Sequence, residues 1–211
     1  MKTLVTLSFD DGPEEDLRAA RMLKRRGLKG TFYVPAEFRM PVKGLLRLAR
    51  EQEVGAHSVT HPDLTGLPAG EIEAQVLGSK RALEILTGVP VRMFAYPYGA
   101  HDARVRRAVK AAGFLGARTC EQGVLRAPKD PFRMGITLPL THAKMTQDHL
   151  FALAAATFDE AMRKGGIWHL ASHAREIEVH QMWPLLEEIL RYVGRRRGVA
   201  YVTNAAALSV R

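Results

Sequence analysis

The sequence predicts an α/β fold in which parallel strands are covered by helices. Short apolar runs alternate with helical patterns in seven or so units along the 211 residues. No linker, internal repeat or low-complexity tract interrupts them, and the residues capable of chemistry fall directly after the apolar runs. Such alternation builds either a small (β/α) barrel or an open doubly wound sheet. Both arrangements place catalytic groups on loops at the carboxyl ends of strands. With 46% hydrophobic and 25% charged residues the composition is globular, so residues 1–211 read as one domain. A chain of this size buries most of its surface without a disulfide or structural metal.

Each element has its own signal. Residues 4–9 alternate as a strand, and 14–26 form a helix with Leu17, Ala20 and Leu23 on one face, stopped by Gly27. Residues 30–34 are the second strand, 45–52 a helix, and 54–57 a strand end. A long helix over 69–86 carries Ile72, Val76, Leu83 and Leu86 at helical spacing, closed by Gly88 and Pro90. Residues 91–95 read as a strand, 102–112 as a helix capped by Asp102, and 114–117 as a strand. The Gly- and Pro-rich stretch 119–142 is irregular, with a short strand near 136–138. Helix 146–163, strand 167–170, helix 182–193 and strand 200–203 complete the chain.

Composition excludes several classes. The net charge is +9, from 31 Lys+Arg against 22 Asp+Glu, which raises nucleic acid as a partner. The basic residues, however, spread along helices (Arg18, Arg21, Lys24, Arg25; Arg104, Arg106, Arg107, Lys110), and only Arg195-Arg196-Arg197 is compact. With no zinc-finger or RRM-type signature beside them, nucleic acid is disfavoured. Cys120 is the sole cysteine, so no intrachain disulfide exists, as suits a reducing compartment. The apolar opening at 4–9 is too short for a signal-peptide core. No stretch approaches the ~20 apolar residues that span a bilayer. The expectation is a cytoplasmic chain with no membrane partner. Neither GxGxxG nor GxxxxGK[ST] occurs, against dinucleotide and P-loop readings.

Four segments carry the chemistry. Asp10-Asp11-Gly12-Pro13 follows the first strand and His57-Ser58-Val59-Thr60-His61-Pro62 the third. Tyr96-Pro97-Tyr98-Gly99 follows the strand at 91–95, and Leu170-Ala171-Ser172-His173 ends the strand at 167–170. In a parallel sheet all four converge on one rim. Two imidazoles and a carboxylate are a ligand set for zinc or another first-row divalent ion, with positions left open. Asp11, His57 and His61 supply that set. Adjacent carboxylates repel unless one is neutralised, and a cation at Asp11 leaves Asp10 free to accept a proton. Singly, each segment has a plainer reading: a turn, exposed histidines, a loop, a helix-capping histidine. Together, in order and each at a strand end, they point to a metal site.

On these residues the chain resembles the polysaccharide deacetylases, the carbohydrate esterase family 4-like group of chitin, chitooligosaccharide and peptidoglycan N-deacetylases. The resemblance is carried by Ser-Phe-Asp-Asp-Gly-Pro at 8–13, His-Ser-Val-Thr-His at 57–61, Phe-Ala-Tyr-Pro-Tyr-Gly at 94–99 and Leu-Ala-Ser-His at 170–173. It implies a distorted (β/α) barrel of about seven parallel strands. It further implies a divalent metal, usually zinc with cobalt, manganese or nickel as alternatives, on Asp11, His57 and His61. Asp10 is then the general base, His173 the general acid, and Tyr98 supplies a backbone N–H to the oxyanion. Leu170, lining an acetyl pocket, and Pro97 are the substrate-binding residues. The implied activity removes N-acetyl groups from an amino-sugar glycan or oligosaccharide, with water activated at the cation attacking the acetamide carbonyl.

One position departs from the family. Many members carry an Arg that orients the base where this chain has Ala95. Arg133 is the expected replacement, with Arg92 second. His169 is expected to pack or hydrogen-bond in the core, and Trp168 to be buried there rather than to stack on a sugar. Two alternatives remain open. One is an amidohydrolase acting on a cyclic or small non-sugar amide through the same site. The other is a non-catalytic glycan- or nucleic-acid-binding module, which predicts no bound metal and salt-dependent binding.

Overall fold

The computed structural model describes residues 3–141 and 145–209. His142, the expected end of the irregular stretch, lies outside the described residues. Strand β1, Thr3–Asp10, is buried along its whole length. Its side chains divide by parity, as strand geometry requires. Val5, Leu7 and Phe9 join the large apolar cluster, while Thr6, Ser8 and Asp10 meet Asn204, His169 and Arg118 on the other face.

The remaining strands are β2 (Thr31–Val34), β3 (Glu53–Ala56), β4 (Met93–Ala95), β5 (Gly116–Arg118), β6 (Leu138–Pro139), β7 (Gly166–Ser172) and β8 (Val199–Tyr201). They lie in the order β5-β4-β3-β2-β1-β7-β6. Every pairing is parallel. β8 pairs with Thr3, Leu4 and Val5 of β1, and from Ser8 onward β2 takes its place. The two edges of this curled sheet are bridged by the stretch after β5. There Met134 N–H donates to the Ala117 carbonyl at 2.9 Å, and Thr137 N–H donates to the His169 carbonyl at 2.8 Å. The sheet thus closes as a distorted barrel, through a loop instead of a β5–β6 ladder.

Helices α1 (Asp16–Arg25), α2 (Val42–Glu51), α3 (Ala69–Thr87), α4 (Ala103–Ala111), α5 (Gln147–Lys164), α6 (Ala174–Val179), α7 (Trp183–Val193) and α8 (Asn204–Ser209) accompany the strands. Local chemistry sets their ends. The Asp102 carboxylate accepts from the N–H groups of Arg104 and Val105, and Thr146 caps α5 through His149 N–H. Pro184 sits in the first turn of α7, where a missing N–H costs nothing. Helices α6 and α8, six residues each, fall outside the expected elements because neither is long enough to display a helical period.

Two cores result. Between strands and helices lies the larger, where Phe9 stacks on Phe32 at 5.0 Å and Phe158 meets Trp168 edge-on. Each large apolar side chain buried there contributes about 1.5–3 kcal/mol. Trp168 is part of this layer, its Nε1–H donating to Thr157 Oγ1 at 3.0 Å, so it is core as expected. The smaller core, including Leu4, Tyr33, Met93, Ala95, Met134, Ile167 and Ala205, fills the barrel interior. Asn204 joins the floor of the barrel to its walls. It donates to Tyr33 Oη at 2.8 Å, and its Oδ1 accepts from Thr6 Oγ1 at 2.6 Å. No helix among the described residues is long and apolar enough to cross a membrane.

Candidate metal centre

The segments expected at the rim meet there. Asp11 directly follows β1, where Gly12 adopts φ +59°; a Cβ at Gly12 would lie 2.8 Å from Val34 Cγ1. The chain therefore turns under Asp11 only with glycine. His57 and His61 sit on the loop after β3. That loop is pinned by Gln75 of α3, whose Oε1 accepts from Val59 N–H at 2.9 Å and Thr60 N–H at 3.0 Å. Ser58 Oγ accepts from His61 N–H at 3.0 Å. Asp11, Ser58, His61 and Tyr98 account for four of the six non-glycine residues with positive φ among the described residues. Backbone held in this sparsely populated region clusters at functional sites.

One potential ligand atom from each of Asp11, His57 and His61 lies within 4.8 Å of the others. Asp11 Oδ1 is 3.7 Å from His57 Nε2 and 3.6 Å from His61 Nε2, and the two Nε2 atoms are 3.0 Å apart. His57 Nδ1 bonds to the Ala95 carbonyl at 2.8 Å, which places the proton on Nδ1 and the lone pair on Nε2. Burial pushes the His57 pKa down to about 4 despite Asp10, with Arg118 and His61 acting in the same direction, so the ring is neutral at pH 7. Two nitrogens and one carboxylate oxygen around a common centre are a fit for a divalent cation, whose bonds to such donors are about 2.0–2.2 Å.

Asp10 stands beside this set. Burial raises its pKa, but the Arg118 guanidinium, then His57 and His173, outweigh it and hold the carboxyl below its ordinary 3.8. Its Oδ2 accepts from Arg118 Nη2, while Oδ1 has no hydrogen-bond partner among the described residues. Arg118 ends β5, fully enclosed, with its guanidinium carbon 5.2 Å from the centre of the Tyr33 ring. The partner of Asp10 is therefore Arg118 and not Arg133. Arg133 lies at the surface, 3.9 Å from Glu121. Arg92 is exposed as well.

His173 Nε2 is 3.8 Å from Asp10 Oδ2 and also from Asp11 Oδ2, and Nδ1 is 3.6 Å from Glu176 Oε2. Thr141 Oγ1 in turn donates to Glu176. Tyr98 lies beside His61, ring centres 4.7 Å apart, with its own ring mostly exposed. Pro97 is buried in the turn that presents Tyr98. Leu170 is not at the rim. It belongs to the outer apolar core, because parity turns Ala171 and His173 inward and Leu170 toward the helices. His169 also faces inward but below the rim, between Ser8 Oγ at 2.9 Å and the Gly135 carbonyl at 3.1 Å. Burial lowers its pKa to about 3, so it is a neutral core histidine, as expected.

Sequence reasoning missed Arg118, Gln75, Glu176 and Ala171. The first had a readable signal: it follows an apolar strand, as the other rim residues do.

A family profile for polysaccharide deacetylase matches residues 1–117. Peptidoglycan-N-acetylglucosamine deacetylase PgdA of Listeria monocytogenes is 33% identical over 105 residues, 48% of this chain and 22% of that one. Chitooligosaccharide deacetylase of Sinorhizobium fredii is 33% identical over 100 residues, 45% of this chain and 46% of that one. Among solved structures, a family 4 acetyl xylan esterase from Clostridium thermocellum, in complex with a cobalt ion, superposes with a TM-score of 0.70. It is 20% identical and covers 99% of this chain and 91% of that one, a likeness of fold. The matched segments span less than half the length of these two curated relatives.

Proposed function

The chain belongs to the polysaccharide deacetylase family, and from that premise we propose that it is a metal-dependent hydrolase removing N-acetyl groups from an amino-sugar glycan or oligosaccharide. A divalent cation held by Asp11, His57 and His61, zinc foremost and cobalt, manganese or nickel as alternatives, would polarise the acetamide carbonyl and make water acidic enough to attack it. Asp10 takes a proton from the attacking water through Oδ1, which has no partner among the described residues, while Arg118 holds the other oxygen and keeps the carboxylate ionised. The backbone N–H of Tyr98, turned by its left-handed conformation, donates to the carbonyl oxygen as negative charge builds there. His173 Nε2 gives a proton to the departing amine, with Glu176 Oε2 3.6 Å from Nδ1 orienting the ring. The water oxygen bonds to the acetyl carbon, the C–N bond breaks, and acetate and a free amino sugar leave.

The observation carrying this reading is the meeting of three ligand atoms within 4.8 Å beside an ionised Asp10 with one free oxygen. Acetate release from N-acetylglucosamine oligomers is the test. Release should stop on chelation, return with added metal, and be absent in His57→Ala. Activity that survives chelation would overturn metal dependence. Ring opening of cyclic imides faster than acetate release would move the protein to the amidohydrolase alternative.

A further inference from the structure

Two openings flank the cluster. On the Asp11 and His61 side runs a groove of about 680 Å³, with Glu15, Glu37, Arg39 and Thr60 in its walls. On the Asp10 and His173 side lies a second hollow of about 330 Å³, where Ile136, Pro139 and Ala171 provide an apolar wall. An amide whose carbonyl carbon lies between Asp10 and His173 sends its nitrogen substituent and its acyl chain in different directions. The larger groove, lined by charged and hydroxyl groups, suits a sugar. The smaller hollow, although Gln122, Thr141 and Glu176 also line it, exposes a mostly apolar surface and suits the acyl chain.

The size of the hollow is the informative quantity. A methyl group is comparable to a water molecule, whose share of the liquid is about 30 Å³. Asp10 and His173 also line the hollow, so part of it takes the amide itself, and the remainder still exceeds a single methyl group. The cause is visible in β7, where the inward position two residues before His173 is Ala171, a side chain ending at Cβ, while the larger Leu170 points away into the outer core. We propose, on the deacetylase reading above, that this hollow is an acyl pocket admitting N-acyl groups up to about butyryl length, with Ala171 setting its depth. Leucine at 171 would add three carbons to the space the longer chain occupies.

The metal-loaded protein is assayed on glucosamine oligomers carrying N-acetyl, N-propionyl or N-butyryl groups. The expected kcat/KM for butyryl lies within about tenfold of that for acetyl, since a hydrophobic pocket that fits the added methylenes offsets their burden. Ala171→Leu, and Ile136→Phe from a different part of the wall, each lower the butyryl-to-acetyl ratio by at least about tenfold. Titration calorimetry with the free acids is independent of turnover. Butyrate should bind about tenfold tighter than acetate, for two more buried methylenes. Acetyl release with butyryl release more than tenfold slower overturns the acyl pocket and leaves deacetylation standing. Release of no acyl group from any substrate overturns both. A ratio unmoved in both variants overturns the assignment of the hollow, and the wild-type series decides even where a variant does not fold.

Discussion

The two faces of the barrel strands are built to opposite specifications. Outward, Val5, Leu7, Phe9, Phe32 and Trp168 meet the helices in a continuous apolar layer. Inward, the same strands carry Thr6, Ser8, Asp10, Tyr33, Arg118 and His169, joined by hydrogen bonds and an ion pair. The inner face is itself graded. Near the floor, Asn204 is bonded through both side-chain atoms, whereas at the rim Asp10 Oδ1 has no partner among the described residues. Stability thus resides mainly on the outer face and chemistry at the inner rim. Strand parity separates the two, so each can be altered with limited effect on the other.

The sharpest break in that comparison is at the rim. Asp11→Ala should lower acetate release on the order of 10⁴-fold while the urea midpoint stays near wild type, because a ligand is lost and no core is opened. The converse is Phe32→Ala on the outer face. It should cost about 3–5 kcal/mol in urea unfolding, with activity per folded molecule unchanged. If Phe32→Ala impaired turnover as much as folding, the separation would be wrong.

Smaller effects sharpen it. Arg118→Met should reduce kcat by about 10²-fold with metal content retained. Without the guanidinium the Asp10 pKa rises, so the acid limb of the pH–kcat profile should move to higher pH; an unmoved limb would contradict the pairing. Asp16 tests a buried acid close to the ligand set but not part of it. Both its oxygens lack partners among the described residues, and burial, then Asp10 and Asp11, hold its pKa well above 3.8. A folded pKa above the unfolded one means that the contribution of Asp16 to stability is greatest below pH 3.8 and falls as pH rises toward the folded pKa. Asp16→Asn removes that fall. Its advantage over wild type, followed by thermal unfolding, should be absent near pH 3 and reach about 1 kcal/mol or more by pH 8. Least of all, Arg133→Ala should change stability by under about 0.5 kcal/mol and leave kcat as it was.

The sequence made the rim legible because strand ends are legible. Asp10, His57 and His173 each lie at the end of an apolar run, and the parallel topology brings such ends together. The same rule reaches Arg118 only if β5 extends one residue beyond the apolar run that suggested it, to residue 118 and not 117. The arginine that steadies Asp10 therefore comes from the strand next to β4, where Ala95 instead offers its carbonyl to His57. Leu170 was misplaced for a different reason. The resemblance implies it at the acetyl pocket, whereas strand parity turns it to the outer core and Ala171 inward. The burial of Asp16 left no mark in sequence, since an acid in a first helical turn ordinarily faces water.

Under the proposed function one divalent cation would sit on Asp11, His57 and His61 while His173 stays unbound. Zinc titration into metal-free, ¹⁵N-histidine-labelled protein tests it most directly. The imidazole Nε2 resonances of His57 and His61 should move together and saturate at one zinc per chain, with His169 remaining in its neutral form. Saturation on the His173 ring nitrogens, or none at His57 and His61, would contradict the account.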